Sequence, residues 1–443
     1  MFMNWVHVDF KGAAPQIGEV EKFIRFWKKC GYDGLILEFD DRLPWRTWQG
    51  TWRRGYTDEE LDLMLKMCRD NGLQVAPLIQ IQGHLEWLLK HPQYAYLREN
   101  NVGNELCPLH EDSMPLLKKW LAEIRERFPE AKYIHLGADE TWNLGTCEKC
   151  RKQDKMRIYT DHVSELCRQA SALGMTPMIW ADMFWREERP ELAELLPEET
   201  ILVDWQYEGV PPYPTMELLS KTGHTLAGAS AALRSYWEHS YRIMAPQSQV
   251  KNCAGWYKYA KEHDMPVIVT TWGRPASTWE ISSPWYAGIP AYIAGGDPER
   301  WASHPWCGFI EKLAGVMEQN HFPKLVKAAE EAAQLPVADE LEEAARDCIV
   351  LALEHQAIQQ EYNIAYYAKL SLDRVAKYVG KTEPTYGRNT TDALKKMLDK
   401  FDEWEKKARA YWQKYTLQDV DEFIETHLGI FRDECVRMLE ECE

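Results

Sequence analysis

A chain of 443 residues with a formal net charge of −17 has room for one large domain and a smaller one, with cores that need no staples. That acidity argues against nucleic acid or an anionic membrane as partner, and no run approaches the roughly 20 apolar residues that span a bilayer. Eleven cysteines, odd in number and mostly scattered, suit reduced thiols better than a disulfide framework. The start Met1-Phe2-Met3-Asn4-Trp5 lacks the basic residues and apolar run of a secretory signal, so a cytoplasmic location is expected.

The first segment, Trp5 to Phe10, alternates like a strand and ends in Lys11-Gly12. A helical pattern follows (Val20, Phe23, Ile24, Trp27), broken by Gly31. The apolar run Gly34 to Phe39 then closes on Asp40-Asp41. Runs of the same form recur at Gln74 to Ile79, Tyr133 to Leu136, Pro177 to Trp180, Ile201 to Trp205, His224 to Gly228 and Pro266 to Trp272. Amphipathic stretches such as Leu61 to Cys68, Met114 to Phe128 and Tyr159 to Leu173 lie between them. Near-continuous apolar strands alternating with helices indicate a parallel sheet covered on both faces. Eight such units favour a (β/α)₈ TIM barrel over an open doubly wound sheet, and no Gly-x-Gly-x-x-Gly follows the first strand.

From about residue 310 the period becomes 3.6. Leu394, Met397, Leu398, Phe401, Trp404, Ala408, Tyr411, Trp412 and Tyr415 form one stripe, and Val420 to Leu439 carries another. Asp339 to Val379 reads as one long helix ended by Gly380, and Lys381 to Thr391 as a loop. The expected organisation is a catalytic barrel over 1–310 and a helical appendage over 311–443, packed on the barrel or on a second subunit of a homodimer.

The strand ends carry the polar and aromatic residues. They are Asp9 and Lys11; Glu38, Asp40 and Asp41; Gln80, Gln82, Gly83 and His84; Asp139 and Glu140; Trp180 and Asp182; Trp205 and Tyr207; Trp272 and Arg274. In this architecture the C-terminal ends of the strands hold the chemistry. Asp139 and Glu140 can share one cavity only where their strand stops and the chain turns. An adjacent Asp-Glu pair taken alone is ordinary helix-start material. Carboxylates, a base and several indoles at one rim instead suit a sugar, whose ring faces stack on aromatic walls while charged groups grip hydroxyls.

His135-Leu136-Gly137-Ala138-Asp139-Glu140 resembles the His-x-Gly-Gly-Asp-Glu signature of glycoside hydrolase family 20, the β-N-acetylhexosaminidases. His7 to Ala13, Gln82 to Glu86, Leu89-Lys90-His91 and Ala287 to Pro290 are similar to the hexosaminidase D branch, so the resemblance runs over roughly residues 4 to 300. It departs from the wider family in having Asp9-Phe10-Lys11 where most members place a sugar-gripping arginine, and Ala138 for the second glycine.

The resemblance implies exo-acting hydrolysis with retention, in which the substrate's own 2-acetamido oxygen attacks the anomeric carbon. Asp139 would hold the acetamido N–H and offset the oxazolinium charge, and Glu140 would be the acid and then the base. His84 would orient Glu140, with Asp40 behind it. Trp180, Trp205 and Trp272 would line the pocket; Tyr207, with Tyr236 as a rival, would donate to the acetamido carbonyl. Asp9, Lys11, Glu38 and Arg274, and Glu280 besides, are candidates for the remaining hydroxyls. The substrate would be a terminal β-linked N-acetylgalactosamine or N-acetylglucosamine. The competing readings are a catalytically silent sugar-binding barrel and a chitinase-like endo-acting hydrolase.

No cofactor or metal enters this scheme. Cys147-Glu148-Lys149-Cys150 has a metal-site spacing, but a zinc knot needs two further ligands and there is no second Cys-x-x-Cys. Free thiols or an occasional disulfide are the expectation there.

Overall fold

The computed structural model describes residues 2–48, 54–232, 246–273, 285, 287–380, 384–417 and 419–441. Arg274, Tyr236 and Glu280 lie outside the described residues.

Eight parallel strands close into a barrel: β1 (Asn4–Asp9), β2 (Gly34–Glu38), β3 (Gln74–Leu78), β4 (Tyr133–His135), β5 (Thr176–Trp180), β6 (Ile201–Trp205), β7 (Thr225–Ala231) and β8 (Val267–Thr270). β8 returns to β1 with Asn4 opposite Val267. Register places Asp9 beside Glu38 at the last rung of β1 and β2. Trp5, Ile36, Ala76, Met178, Trp180 and Val203 fill the interior, and a second, larger core joins the strands to the outer helices.

The outer layer is α1 (Ile17–Cys30), α2 (Asp58–Asp70), α3 (Glu86–Leu89), α4 (Ser113–Arg127), α5 (Lys155–Ala172), α6 (Asp182–Arg186), α7 (Pro214–Ser220), α8 (Pro246–Glu262), α9 (Gly288–Gly296), α10 (Pro298–Ser303) and α11 (Cys307–Gln319). Local chemistry sets their ends. At α2, Thr57 Oγ accepts from the Glu60 N–H at 3.1 Å while the Glu60 carboxylate accepts from the Thr57 N–H at 2.9 Å, a reciprocal cap on the orphan donors of the first turn.

The tail comprises α12 (Phe322–Ala332), α13 (Glu340–Val379), α14 (Pro384–Tyr415), α15 (Val420–Ile424) and α16 (Ile430–Glu440). α13 is the single long helix expected over Asp339 to Val379, with Gly380 at its end; Asp339 is its cap, its carboxylate accepting the Leu341 and Glu342 N–H groups. The stretch expected to be a loop is in part helix, since α14 begins at Pro384, where proline's missing N–H costs nothing. The 310–311 boundary falls inside α11, which packs on α8 of the barrel layer. The tail also reaches the loop after β1. The Gln16 N–H donates to the Tyr415 carbonyl (3.0 Å) and the Leu417 N–H to the Ala14 carbonyl (2.8 Å), while Tyr411, Trp412 and Tyr415 pack around Trp285.

Candidate active site

β4 is only three residues long, and the segment after it has unusual backbone. Buried His135 is held neutral, its pKa pushed down to about 3 by burial and then by His7, so Nδ1 accepts from the Gly137 N–H at 3.0 Å. Gly137 sits at φ +62°, and a β-carbon there would fall 1.9 Å from Gln80 Oε1. Ala138 (φ +75°) and Glu140 (φ +50°) continue in the left-handed region, where a non-glycine residue costs roughly 1–2 kcal/mol. From α5, the Tyr159 hydroxyl donates to the Ala138 carbonyl at 2.9 Å and helps hold the turn. By this turn Asp139 and Glu140 are brought to the same side.

Between their carboxylates stands His84, itself at φ +55°. Its Nε2 lies 3.3 Å from Asp139 Oδ2 and 3.5 Å from Glu140 Oε2. Burial opposes a charge on the ring, but Asp139, Glu140 and Glu86 together raise its pKa well above the ordinary imidazole value. The Asp139 side chain is 9% exposed and that of Glu140 24%. Among the described residues, Asp139 Oδ1 is buried without a hydrogen-bond partner.

Asp182, at the start of α6, accepts the Glu140 N–H at 3.1 Å. Burial first, then the neighbouring Asp139, pushes its carboxyl up to about 7. Arg186, one turn along α6, brings Nε to 3.4 Å from Asp182 and Nη2 to 4.0 Å from Glu140. Its guanidinium lies over Trp142, Trp185 and Trp205 at 4.8, 4.7 and 5.1 Å. Arg186 belongs to no motif in the sequence, and its one signal there is the i,i+4 spacing from the strand-end Asp182.

A second charged group occupies the ends of β1 and β2. Lys11 Nζ is 2.5 Å from Glu38, 3.4 Å from Asp9 and 4.0 Å from Asp40. Glu38 is fully buried and also meets His7 Nε2 (2.8 Å) and Gln80 Nε2 (3.0 Å). Burial alone would raise the Glu38 pKa, but Lys11 and His7 together hold it below the carboxylate range. Burial keeps Asp9 and Asp40 raised despite Lys11, which is itself raised by these acids. Asp9 accepts the Lys11 and Gly273 N–H groups, both at 2.8 Å. Asp40 therefore belongs to the Lys11 group, and the acids facing His84 are Asp139, Glu140 and Glu86. Of the four, Lys11 offers the most surface, and its Nζ is 5.6 Å from the Trp272 ring.

The aromatic residues form two levels. Trp272 Nε1 donates to the Tyr207 hydroxyl at 2.9 Å, and Tyr207 stacks on Trp205 at 5.1 Å; all three are half-buried. Trp180 is fully buried, tilted on His135 (4.1 Å) and Trp272 (5.7 Å). It supports the wall from below and shows no open face.

Beside the rim, Glu99, Cys107, Cys147 and Cys150 each bring a ligand atom within 4.8 Å of the others, the one group among the described residues suited to a metal. Cys107 and Glu99 escaped sequence reasoning because they come from a different loop and form no Cys-x-x-Cys.

Residues 39–332 match the glycosyl hydrolase family 20 catalytic domain, beginning after β2 and ending in α12, later at both ends than the resemblance had indicated. Human hexosaminidase D is 27% identical over 319 residues, an alignment covering 66% of this chain and 64% of that protein. The bovine hexosaminidase D is 26% identical over 292 residues, covering 61% and 84%. The chain thus spans just under two thirds of the human relative. Among solved structures, a family 20 catalytic module of the pneumococcal exo-β-D-N-acetylglucosaminidase superposes with TM-score 0.51 at 12% identity, covering 80% of this chain and 97% of that one. A β-N-acetylhexosaminidase superposes with TM-score 0.51 at 16% identity, covering 73% and 76%. Those two likenesses concern the barrel fold, while the match over residues 39–332 extends to the sequence itself: the chain belongs to glycosyl hydrolase family 20.

Proposed function

We propose that this chain is an exo-acting, retaining β-N-acetylhexosaminidase that removes terminal β-linked N-acetylgalactosamine at least as well as N-acetylglucosamine. The observation that carries the reading is the buried, unpartnered Oδ1 of Asp139 beside the more exposed carboxyl of Glu140. A buried acceptor without a donor is costly, and an acetamido N–H would satisfy it. Family membership supports the reaction class. The galacto preference rests on the resemblance to the D branch. The free thiols among the described residues suit the reducing cytoplasm.

In this scheme the sugar enters between Trp205 and Trp272. Asp139 accepts the acetamido N–H, which directs the acetyl oxygen at C1. Glu140 gives its proton to the glycosidic oxygen as that bond breaks, leaving a bicyclic oxazolinium whose charge Asp139 offsets. Glu140, now ionised, takes a proton from water as it attacks C1, and the acetamido group is restored with the configuration retained. His84 positions both carboxylates with one ring nitrogen. No protein nucleophile is required.

The test is a series of β-N-acyl glycosides with zero to three fluorines on the acetyl group. Each fluorine weakens the acyl oxygen while barely changing its size, so each should slow turnover, and plain β-glucosides and β-galactosides should be nearly inert. A thiazoline analogue of the intermediate should inhibit the native protein and lose much of its affinity for Asp139→Asn. A rate independent of fluorine, or a glycosyl ester on Asp139, would overturn the reading.

A further inference from the structure

We propose that Glu99, Cys107, Cys147 and Cys150 bind one structural zinc ion that clasps the loop after β3 to the loop after β4. Cys107 Sγ lies 3.6 Å from the sulfurs of both Cys147 and Cys150, and the four potential ligand atoms are all within 4.8 Å of one another. Ligands on a tetrahedral zinc, with Zn–S near 2.3 Å, are separated by roughly 3.8 Å, close to the spacing found here. A disulfide would join two of the sulfurs, strand the third, and do nothing for the carboxylate.

That carboxylate is the independent sign of a ligand. Glu99 is fully buried; one oxygen accepts the Thr146 and Cys147 N–H groups at 3.0 and 2.8 Å, and the other, Oε2, has no hydrogen-bond partner. A buried carboxylate oxygen whose neighbours are the Cys150 thiol and two further sulfurs suits a cation that takes those sulfurs as thiolates. The Cys150 N–H donates to Cys147 Sγ at 3.3 Å, the kind of backbone support that steadies a thiolate ligand. Three sulfurs and one oxygen select zinc over harder cations, and four protein ligands would leave no open position, which would make the site structural.

The placement says what the clasp would hold. Cys107 follows Leu106, whose N–H donates to the Gln82 carbonyl, and the Leu85 N–H donates to Asn104, so the segment leading to Cys107 brackets His84. Across the gap, the Asn143 N–H donates to Glu105, three residues past Glu140. A metal bridging 99–107 to 147–150 would therefore fix the distance between His84 and Glu140.

The experiment is elemental analysis of the purified full chain, with zinc K-edge absorption on the same sample. One zinc per chain with three sulfur neighbours and one oxygen is expected, and a mercurial thiol reagent should release it. Cys107→Ser and Glu99→Gln should each reduce retained zinc at least tenfold after dialysis against a chelator. If those variants fail to fold, the absorption spectrum of the unmodified chain still decides. Metal-free protein, a disulfide among the three cysteines by mass, bound iron in place of zinc, or zinc seen only with nitrogen and oxygen neighbours would each overturn the assignment.

Discussion

Gly83 is pressed against Asp139: a β-carbon on the glycine would sit 2.4 Å from the Asp139 carbonyl oxygen. The obstacle is backbone, and no rotamer change relieves it. This close approach lets the next residue, His84, reach both catalytic candidates. Gly83→Ala should therefore separate the β3 and β4 loops and cut kcat by about 10²-fold or more, since small misplacements of catalytic groups have effects of that order. The barrel's far-ultraviolet dichroism should be unchanged. Near-normal turnover in a folded Gly83→Ala protein would show that this contact does not position His84.

Lys11 is the positive centre for three acids, and its removal would leave Glu38, Asp9 and Asp40 facing one another. Lys11→Met should destabilise the fold by about 2–3 kcal/mol near neutral pH, because the carboxylates lose their counter-charge in a buried setting. The sign of the pH dependence follows from Glu38. Its pKa is lowered, so its stabilisation is present above the unfolded value and is lost as pH falls through the folded one. Without Lys11 these acids take up protons more readily, and the deficit should shrink as pH is lowered toward about 4. Thermal unfolding at several pH values reads this directly; a deficit constant with pH would assign the loss to packing.

Asp182 offers the opposite case. Its carboxyl is raised to about 7, chiefly by burial, so the folded protein holds a proton that the unfolded chain has released. The stabilising effect is full at low pH and is lost as pH rises from about 4 to about 7, then stays level. Asp182→Asn keeps an oxygen for the Glu140 N–H and removes the titration. Relative to the native protein it should gain on the order of a few kcal/mol across that window, with parallel curves above it. A stability difference independent of pH would mean that Asp182 is ionised throughout.

The strands were legible because burial on both faces demands near-continuous apolar runs, and all eight expected runs overlap strands of the barrel. β4 ends one residue short of its apolar run: Leu136 and Gly137 still bond to β5, but the chain then turns away, and left-handed backbone at Ala138 and Glu140 leaves no mark on a hydrophobic pattern. Asp139, Glu140 and His84 could be placed together because each ends or follows a strand. The partner of Asp40 could not, since which neighbour a charged strand-end side chain meets depends on register around the barrel. Trp180 shows the same limit, because composition does not say whether an indole faces outward from a rim or lies beneath it. Cys107 and Glu99 join Cys147 and Cys150 only through packing of two loops. In the tail, Gly387, Asn389 and Thr390 read as loop, yet propensity is a weak prior within a helix as long as α14.

The hydrogen bonds from Gln16 to Tyr415 and from Leu417 to Ala14 join segments about 400 residues apart in sequence. Strand pairing needs nothing beyond residue 270, so the barrel can close while later helices are still being made. The loop that carries Lys11 gains its last supports only when α14 has emerged from the ribosome. A nascent chain arrested before residue 415 would therefore have a closed barrel with an unsecured β1 loop, and synthesis of the tail would be the step that finishes the rim.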